Sequence, residues 1–251
     1  MGNDHQHSLK VVTYNIHSCI DMYRNLNMEK IACVIADLDP DVVALQEVDV
    51  NKLRTNMINQ AKWLADRLGM QYLFYPVVKN GSEKYGLAIL AGIPMEKMRF
   101  GVLPAILAKK PRELRGVMWV RLKTRQGPVN LINTHLGLLS AERRLQVRTL
   151  LGGKWLGGLA DLEPVVFCGD FNAGRRSYVY RQICKRFRDV QVHKKERGSI
   201  KATFFSLYPL FCIDHIFVSS HFSTLRVRVP ATQTARTASD HLPVFAKIVI
   251  G

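Results

Sequence analysis

Cysteine pairs, acidic residues, long apolar runs and nucleophile motifs are scarce or missing in this chain. Its five cysteines (Cys19, Cys33, Cys168, Cys184 and Cys212) are scattered, odd in number and free of any CxxC spacing. That argues against a disulfide framework or a structural zinc site and leaves reduced thiols, several of them inside apolar runs. No apolar stretch approaches the roughly 20 residues that cross a bilayer as a helix. The opening Met1-Gly2-Asn3-Asp4-His5-Gln6-His7 has neither a secretory apolar core nor the Ser or Thr that N-myristoylation needs. A soluble, cytoplasmic monomer is therefore expected, peripheral to a membrane at most. The GxSxG elbow, the P-loop, the dinucleotide fingerprint and HExxH are also absent, which removes the commonest serine-hydrolase, NTPase, dehydrogenase and zinc-protease readings.

Acids are outnumbered: Lys+Arg is 36 against Asp+Glu 20, a formal charge of +16. Such an excess selects anionic partners, namely nucleic acid, an anionic membrane surface or a phosphorylated small molecule. The apolar share of 47% is ordinary for a soluble globular protein. With no repeat, low-complexity tract or long linker, one domain over residues 9–251 is expected behind a flexible N-terminus, 1–8.

Short apolar strands recur along the chain. Leu9 to Asn15 reads as a strand whose end presents Asn15. Asn27 can cap a helix with Met28, Ile31, Ile35 and Leu38 on one face, and Asp39-Pro40-Asp41 stops it. Val42 to Leu45 is a second buried strand ending at Gln46-Glu47. A helix is expected from about Asn56 to Leu68, with Met57, Ala61, Leu64 and Leu68 inward and Gly69 as its stop. Further strands are Tyr72 to Pro76, Tyr85 to Ala91, Val117 to Leu122 and Val129 to Thr134, the last delivering His135. Ser140 opens a basic helix, and Val165 to Cys168 runs into Gly169-Asp170-Phe171-Asn172. A helix from about Ser177 to Phe187 follows, then strands Ile213 to Val218, Leu225 to Val229 and Val244 to Ile250. Many short strands with a few helices between them indicate a layered α/β sandwich, with helices or sheets at its centre.

The residues that interrupt these strands are Asn15, Glu47, His135, Asp170, Asn172, Asp214, Asp240 and His241. Taken singly, each reads as a turn former, a solvated acid or a structural histidine. Recurring at strand end after strand end, they read as catalytic residues held by a rigid scaffold. Carboxylates and amides without a thiolate are hard oxygen donors, suited to Mg²⁺ or Mn²⁺. Two histidines among them can move protons or meet a phosphate oxygen. Metal-assisted phosphoester hydrolysis uses what is present and lacks nothing it needs.

Thr13-Tyr14-Asn15-Ile16-His17, Gln46-Glu47-Val48, Asn133-Thr134-His135-Leu136, Gly169-Asp170-Phe171-Asn172, Ile213-Asp214-His215-Ile216-Phe217 and Ser239-Asp240-His241-Leu242-Pro243-Val244 together resemble the ordered motif series of the endonuclease/exonuclease/phosphatase superfamily. The resemblance implies a four-layer α/β sandwich of two packed mixed sheets flanked by helices, and a metal-dependent phosphoesterase. It also implies roles. Glu47 would be the main metal ligand, with Asn15 beside it and Asp240 at or near the metal. Asp170 would activate the attacking water and Asn172 would hold the phosphate. His241 paired with Asp214, together with His135, would contact phosphoryl oxygens and help transfer protons. Relatives often carry Gly-Asn-Ala-Ile-Leu-Ser-Arg where this chain has Gly86-Leu87-Ala88-Ile89-Leu90-Ala91-Gly92, so the phosphate contact at Tyr85 is the weakest carry-over.

Basic residues crowd the expected mouth: Lys109, Lys110, Arg112 and Arg115, then Arg143 and Arg144, then Arg175 and Arg176. They favour a polyanion, with nucleic acid first and an anionic lipid second. The apolar run Phe204 to Phe211 leads into Asp214. Its first use is core packing; exposed, it would stack bases or enter a lipid interface. A lipid substrate is favoured if that run and Trp155 face solvent. A catalytically silent anion-binding module is the third reading.

Overall fold

A computed structural model describes residues 8–106, 113–192 and 201–251. In chain order the elements are β1 (Leu9–Asn15), α1 (Met28–Ala36), β2 (Val42–Val50), α2 (Gln60–Leu68), β3 (Gln71–Asn80), β4 (Glu83–Ala91), β5 (Met95–Val102), β6 (Gly116–Thr124) and β7 (Gly127–His135). They continue with α3 (Ser140–Leu150), α4 (Leu159–Leu162), β8 (Val165–Asp170), α5 (Tyr178–Ile183), β9 (Arg188–Asp189), β10 (Asp214–Val218), β11 (Phe222–Arg228), α6 (Gln233–Ala238) and β12 (Val244–Ile250). They form two six-stranded sheets, ordered β11-β12-β1-β2-β4-β3 and β5-β6-β7-β8-β10-β9.

The central strands β1, β2, β4, β7, β8 and β10 bury both faces, so their apolar runs are nearly continuous. Val11, Val42, Ala44, Leu87 and Ile89 of the first sheet meet Met118, Val120, Leu131, Val166 and Ile216 of the second in a central core. Their neighbours in sequence point the other way. Val12, Tyr14, Val43, Leu45 and Leu90 pack under Ile31 and Ile35 of α1, Leu64 of α2 and Ala235 of α6. Ile132, Val165, Phe167 and Phe217 pack under Val147 and Leu150 of α3 and Ile183 of α5. The result is the expected four layers, helices outside and sheets within. Truncating one such side chain, for example Ile35→Ala, costs ~2–5 kcal/mol.

Register gathers the polar strand ends at one edge. Parallel pairing sets Asn15 beside Gln46 and His135 beside Asp170. Antiparallel pairing sets Asp214 opposite Asp170, and Val244 opposite Thr13 just after Ser239-Asp240-His241.

Several element bounds differ from the sequence reading. Asn56 and Met57 take φ of 55° and 58°, which no right-handed helix tolerates. The helix instead starts at Gln60, with the Asn59 side chain accepting from Lys62 N, and Met57 is exposed rather than inward. The helix expected to reach Phe187 ends at Ile183, capped at its start by Ser177. Strand β5 is mostly exposed and α6 (QTARTA) has no apolar stripe, so neither carried a periodic signal. Trp155 is buried, not solvent-facing. Residues 1–7, Lys109, Lys110 and Arg112 lie outside the described residues.

Candidate active site

Asn15, His135, Asp170 and Asp214 are strand termini, which fixes their direction through the pleat. Glu47 is different, because β2 continues past it. The β2–β4 ladder is broken between Leu45 and Val48, and Glu47 sits there at φ 59°. A bulge with one left-handed residue re-aims a side chain that regular pleating would send elsewhere. Asn172 is the second such case, at φ 47°. Gly169 also has a chemical reason: a Cβ there would lie 1.9 Å from Thr134 O. The close approach of β7 and β8 beneath the site therefore requires glycine.

The cluster centres on the buried Asp170 carboxylate. Its Oδ2 accepts from Asn15 Nδ2 at 3.0 Å and lies 3.3 Å from His135 Nε2 and 3.7 Å from His241 Nε2. Its Oδ1 accepts from Asn172 N at 2.8 Å. Asn15 Nδ2 also donates to Glu47 Oε1 at 2.9 Å, joining the two acids, while Asn15 Oδ1 accepts from His17 N. Asp214 Oδ2 pairs with His241 Nδ1 at 2.8 Å. Arg115 Nη1 lies 3.2 Å from His135 Nδ1. A guanidinium only donates, so Nδ1 accepts and the proton of His135 sits on Nε2, facing Asp170. Asn172 Nδ2 lies 3.2 Å from that Nε2 and donates to Leu136 O.

The surroundings drive the two histidines apart. Burial, the Arg115 cation and charged His241 hold His135 well below its ordinary value, so it is neutral. Burial also works against charge on His241, but the carboxylates of Asp214 and Asp170 outweigh it and push its pKa up to about 10. Burial and the neighbouring Asp214 raise Asp170 to about 7, against the pull of His241 and its donors. Glu47 is raised by burial and by the negative charges of Asp240 and Glu113, partly offset by Asn15.

Of the residues singled out from sequence, Asn15, Glu47, His135, Asp170, Asn172, Asp214 and His241 are linked through these contacts. Asp240 faces Glu47 by charge, while its carbonyl accepts from Ser206 N. Tyr85 lines a cleft of about 160 Å³ with Glu47, Arg54, Glu113 and His17. Arg175 and Arg176 are exposed beyond Asn172. Arg175 Nε donates to Tyr180 Oη at 3.3 Å rather than reaching the cluster. Three contributors went unassigned: Arg115 as the donor that sets the His135 tautomer, Glu113 beside the cleft, and Ser239, whose Oγ donates to Asn15 O and accepts from His241 N. Ser239 stood inside a quoted motif; Arg115 was visible only as one more basic residue.

Asp170, Asp214 and His241 offer ligand atoms within 4.8 Å of one another, so this buried trio could hold a metal. Among the described residues no helix is long and apolar enough to cross a membrane.

The chain matches a family model described as Endonuclease/Exonuclease/phosphatase family over residues 12–241. It is 27% identical over 253 aligned residues to YbhP of Escherichia coli K12, an uncharacterized protein, covering 97% of each chain. Among solved structures it resembles an endonuclease/exonuclease/phosphatase from Beutenbergia cavernae, with TM-score 0.77 and 22% identity, over 98% of this chain and 72% of that one. It also resembles the mannosyl-6-phosphatase Bt3783 of Bacteroides thetaiotaomicron, with TM-score 0.76 and 22% identity, over 96% of this chain and 100% of that one.

Proposed function

The chain belongs to the Endonuclease/Exonuclease/phosphatase family, and from that premise we propose that it hydrolyses phosphodiester bonds with the help of a divalent cation. The observation that carries this reading is the geometry of Asp170, a buried carboxylate with Oδ2 3.3 Å from His135 Nε2 and 3.7 Å from His241 Nε2, where burial pushes its pKa up to about 7. A base near neutrality beside a permanent acid is what in-line attack of water on a phosphoester requires.

The donor set fits a hard cation. Glu47 is a carboxylate with one hydrogen bond, from Asn15, and it feels the negative charges of Asp240 and Glu113 across an open cleft. A positive ion relieves that repulsion, and an all-oxygen set suits Mg²⁺, with Mn²⁺ as substitute. Glu47 would be the principal ligand and Asp240 a neighbour. Asn15 now turns its nitrogen to both acids, so its oxygen reaches the cation only after the amide turns over. The trio of Asp170, Asp214 and His241 is the poorer ligand set, because an imidazolium held by Asp214 has no free lone pair. When bound, the cation polarises a phosphoryl oxygen.

The protein's own groups do the rest. Asp170 takes the proton of the attacking water as its oxygen bonds to phosphorus; the opposite phosphorus–oxygen bond breaks, and the leaving alkoxide takes up a proton from solvent. His241, oriented through Nδ1 by Asp214, presents Nε2–H to the charge that builds on phosphorus-bound oxygens. His135 Nε2–H and the Asn172 amide are both donors and so do not bond each other across 3.2 Å, which leaves them side by side as donors available to phosphoryl oxygens. Asp170, Asn172, Asp214, His135 and His241 are thus the catalytic set. Tyr85 closes the cleft and contacts the phosphate. The complete set of acids and histidines stands against a silent binding module.

On charge alone the substrate is nucleic acid, its flanking phosphates met by exposed Arg175 and Arg176. A phospholipid or phosphoinositide head group is the second reading; exposure of the Phe205–Phe211 loop beside His241 supports it, while Trp155, the other half of the expected apolar face, is buried. The basic test is hydrolysis of bis(p-nitrophenyl) phosphate with Mg²⁺ or Mn²⁺, alongside calorimetric metal binding to Glu47→Gln and Asp214→Asn. Chelator should abolish turnover, and Glu47→Gln should lose metal affinity while Asp214→Asn keeps it. Full activity in excess chelator, or unchanged metal binding by Glu47→Gln, refutes the proposal.

A further inference from the structure

A soluble protein usually scatters its exposed apolar side chains singly, and grouped ones mark an interaction surface. Here they are grouped around the site. On the His241 side, the loop of residues 203–211 exposes Phe205, Tyr208, Leu210 and Phe211, with Tyr208 80% and Leu210 75% exposed. On the His135 side, the chain leaving β7 exposes Leu138 and Leu139. On the Glu47 side, the turn carrying Arg54 exposes Leu53 and Met57. The loop is not a loose segment that folds away. Phe204 and Phe211 exchange backbone hydrogen bonds, and Ser206 N donates to Asp240 O at 2.8 Å. Arg236 Nη1 donates to Ser206 O and Leu207 O at 3.2 and 2.6 Å. The one ring turned inward is Phe204, whose centroid lies 4.8 Å from that of His241. The scaffold holds the apolar tips outward while anchoring the loop to the catalytic segment.

Cations stand among these side chains. Arg144, early in α3, and Arg175 and Arg176, just beyond Asn172, are exposed on a chain of formal charge +16, whereas Arg54 is already held by the buried Asp49 carboxylate at 2.7 and 2.9 Å. Apolar tips ringed by arginines match the water–lipid boundary, where side chains enter the acyl region and guanidinium groups meet anionic head groups. Single-stranded nucleic acid fits less well. Bases stack on aromatic faces, whereas Leu53, Met57, Leu138, Leu139 and Leu210 have none.

We propose that this rim docks on a bilayer containing anionic phospholipid, so that the site meets its phosphoester at the membrane surface. The docking stands on the surface alone, and only its consequence for substrate rests on the phosphoesterase reading.

The test is co-sedimentation of the full chain with vesicles of phosphatidylcholine alone or mixed with phosphatidylglycerol. It compares wild type, Tyr208→Ser/Leu210→Ser, and Leu162→Ser as control. Leu162 is 82% exposed but lies before β8, at the strand end opposite Asp170. Wild type should prefer the mixed vesicles. The loop variant should partition at least ~10-fold less and Leu162→Ser as wild type. Bis(p-nitrophenyl) phosphate hydrolysis in solution should be unchanged in the loop variant, so failed docking and failed catalysis are read separately. Equal partitioning of wild type and the loop variant overturns the proposal. So does self-association of wild type that the loop substitutions abolish, which assigns the rim to a second copy. Loss of single-stranded DNA binding by the loop variant without loss of vesicle binding also overturns it.

Discussion

Replacing Asp170 by Asn should stabilise the metal-free protein while destroying its activity. Asp170 is buried among groups that raise it from 3.8 to about 7. A carboxyl that binds its proton more tightly when folded contributes stability below its unfolded pKa and loses it as pH rises through the folded one. About three pK units at 1.36 kcal/mol each set a ceiling of ~4 kcal/mol on the penalty above neutrality. Asn carries no such penalty, but its amide cannot accept from all of Asn15, Asn172 and His135, and a mismatched buried donor costs ~1–3 kcal/mol. The net gain at about pH 8 is therefore ~1–3 kcal/mol, vanishing or reversing below about pH 3, where the wild-type carboxyl is neutral in both states. Urea unfolding in excess EDTA across that range measures it, and turnover should fall by several orders of magnitude in parallel. A stability difference between variant and wild type that does not change with pH refutes the reasoning, because the ionisation of Asp170, together with its pull on His241, requires a slope.

His241 and Asp214 should act as one unit: each single substitution to Ala or Asn costs several orders of magnitude in kcat, and the double variant costs little more than the worse single. Multiplicative losses would show independent roles. In the metal-free protein the His241 ring should stay protonated through about pH 9 by NMR, given a pKa pushed up to about 10; a midpoint near the ordinary value of 6.5 would remove its assignment as the fixed acid. If the polyanion is nucleic acid rather than an anionic bilayer, charge reversal at Arg175 and Arg176 should weaken DNA or RNA cleavage and flatten its salt dependence, leaving a small chromogenic diester untouched. Polymer cleavage unchanged across a salt titration would detach these arginines from nucleic acid. Asn133→Leu should cost ~3 kcal/mol in urea unfolding, since Asn133 accepts from Gln46 Nε2 and donates to Leu45 O and Ala88 O; a neutral substitution would show that the link is dispensable.

The layered sandwich was legible because burial on both faces writes itself as short, nearly continuous apolar runs. The polar strand ends were legible because Asn, Glu, Asp and His are costly there. Direction was harder. Nothing local announces that Glu47 occupies a left-handed bulge, since the sheet partner β4 that exposes the irregularity is far along the chain. The start of α2 lies later than the apolar spacing from Met57 suggests, because only the backbone shows that Asn56 and Met57 are left-handed and that Asn59 does the capping. Arg115 was invisible as a site residue. Its role comes from lying 3.2 Å from His135 Nδ1 across neighbouring strands, and a basic side chain gives no sequence signal of burial. The 204–211 run was ambiguous for a related reason: apolar composition reports the tendency to bury, not what does the burying.

The proposed catalysis depends on the relative position of two sheets. Glu47 and Asn15 come from one, His135, Asp170 and Asp214 from the other, and apolar side chains fill the space between. Apolar packing is strong but non-directional, so it sets the spacing of the layers better than their lateral register. Directional contacts lie directly under the site. Asn133 of β7 bonds to Gln46, Leu45 and Ala88 across the inter-sheet gap. Asn15 of β1 bonds to Asp170 of β8 at 3.0 Å. These groups carry a desolvation cost, seen in the buried Gln46 Oε1 that finds no partner among the described residues. That cost is reasonable only where an ångström of slippage matters, since a carboxylate moved that far from Asn15 could no longer share its amide with Glu47. The polar core is thus concentrated where the two sheets must hold Glu47 and Asp170 on a common donor.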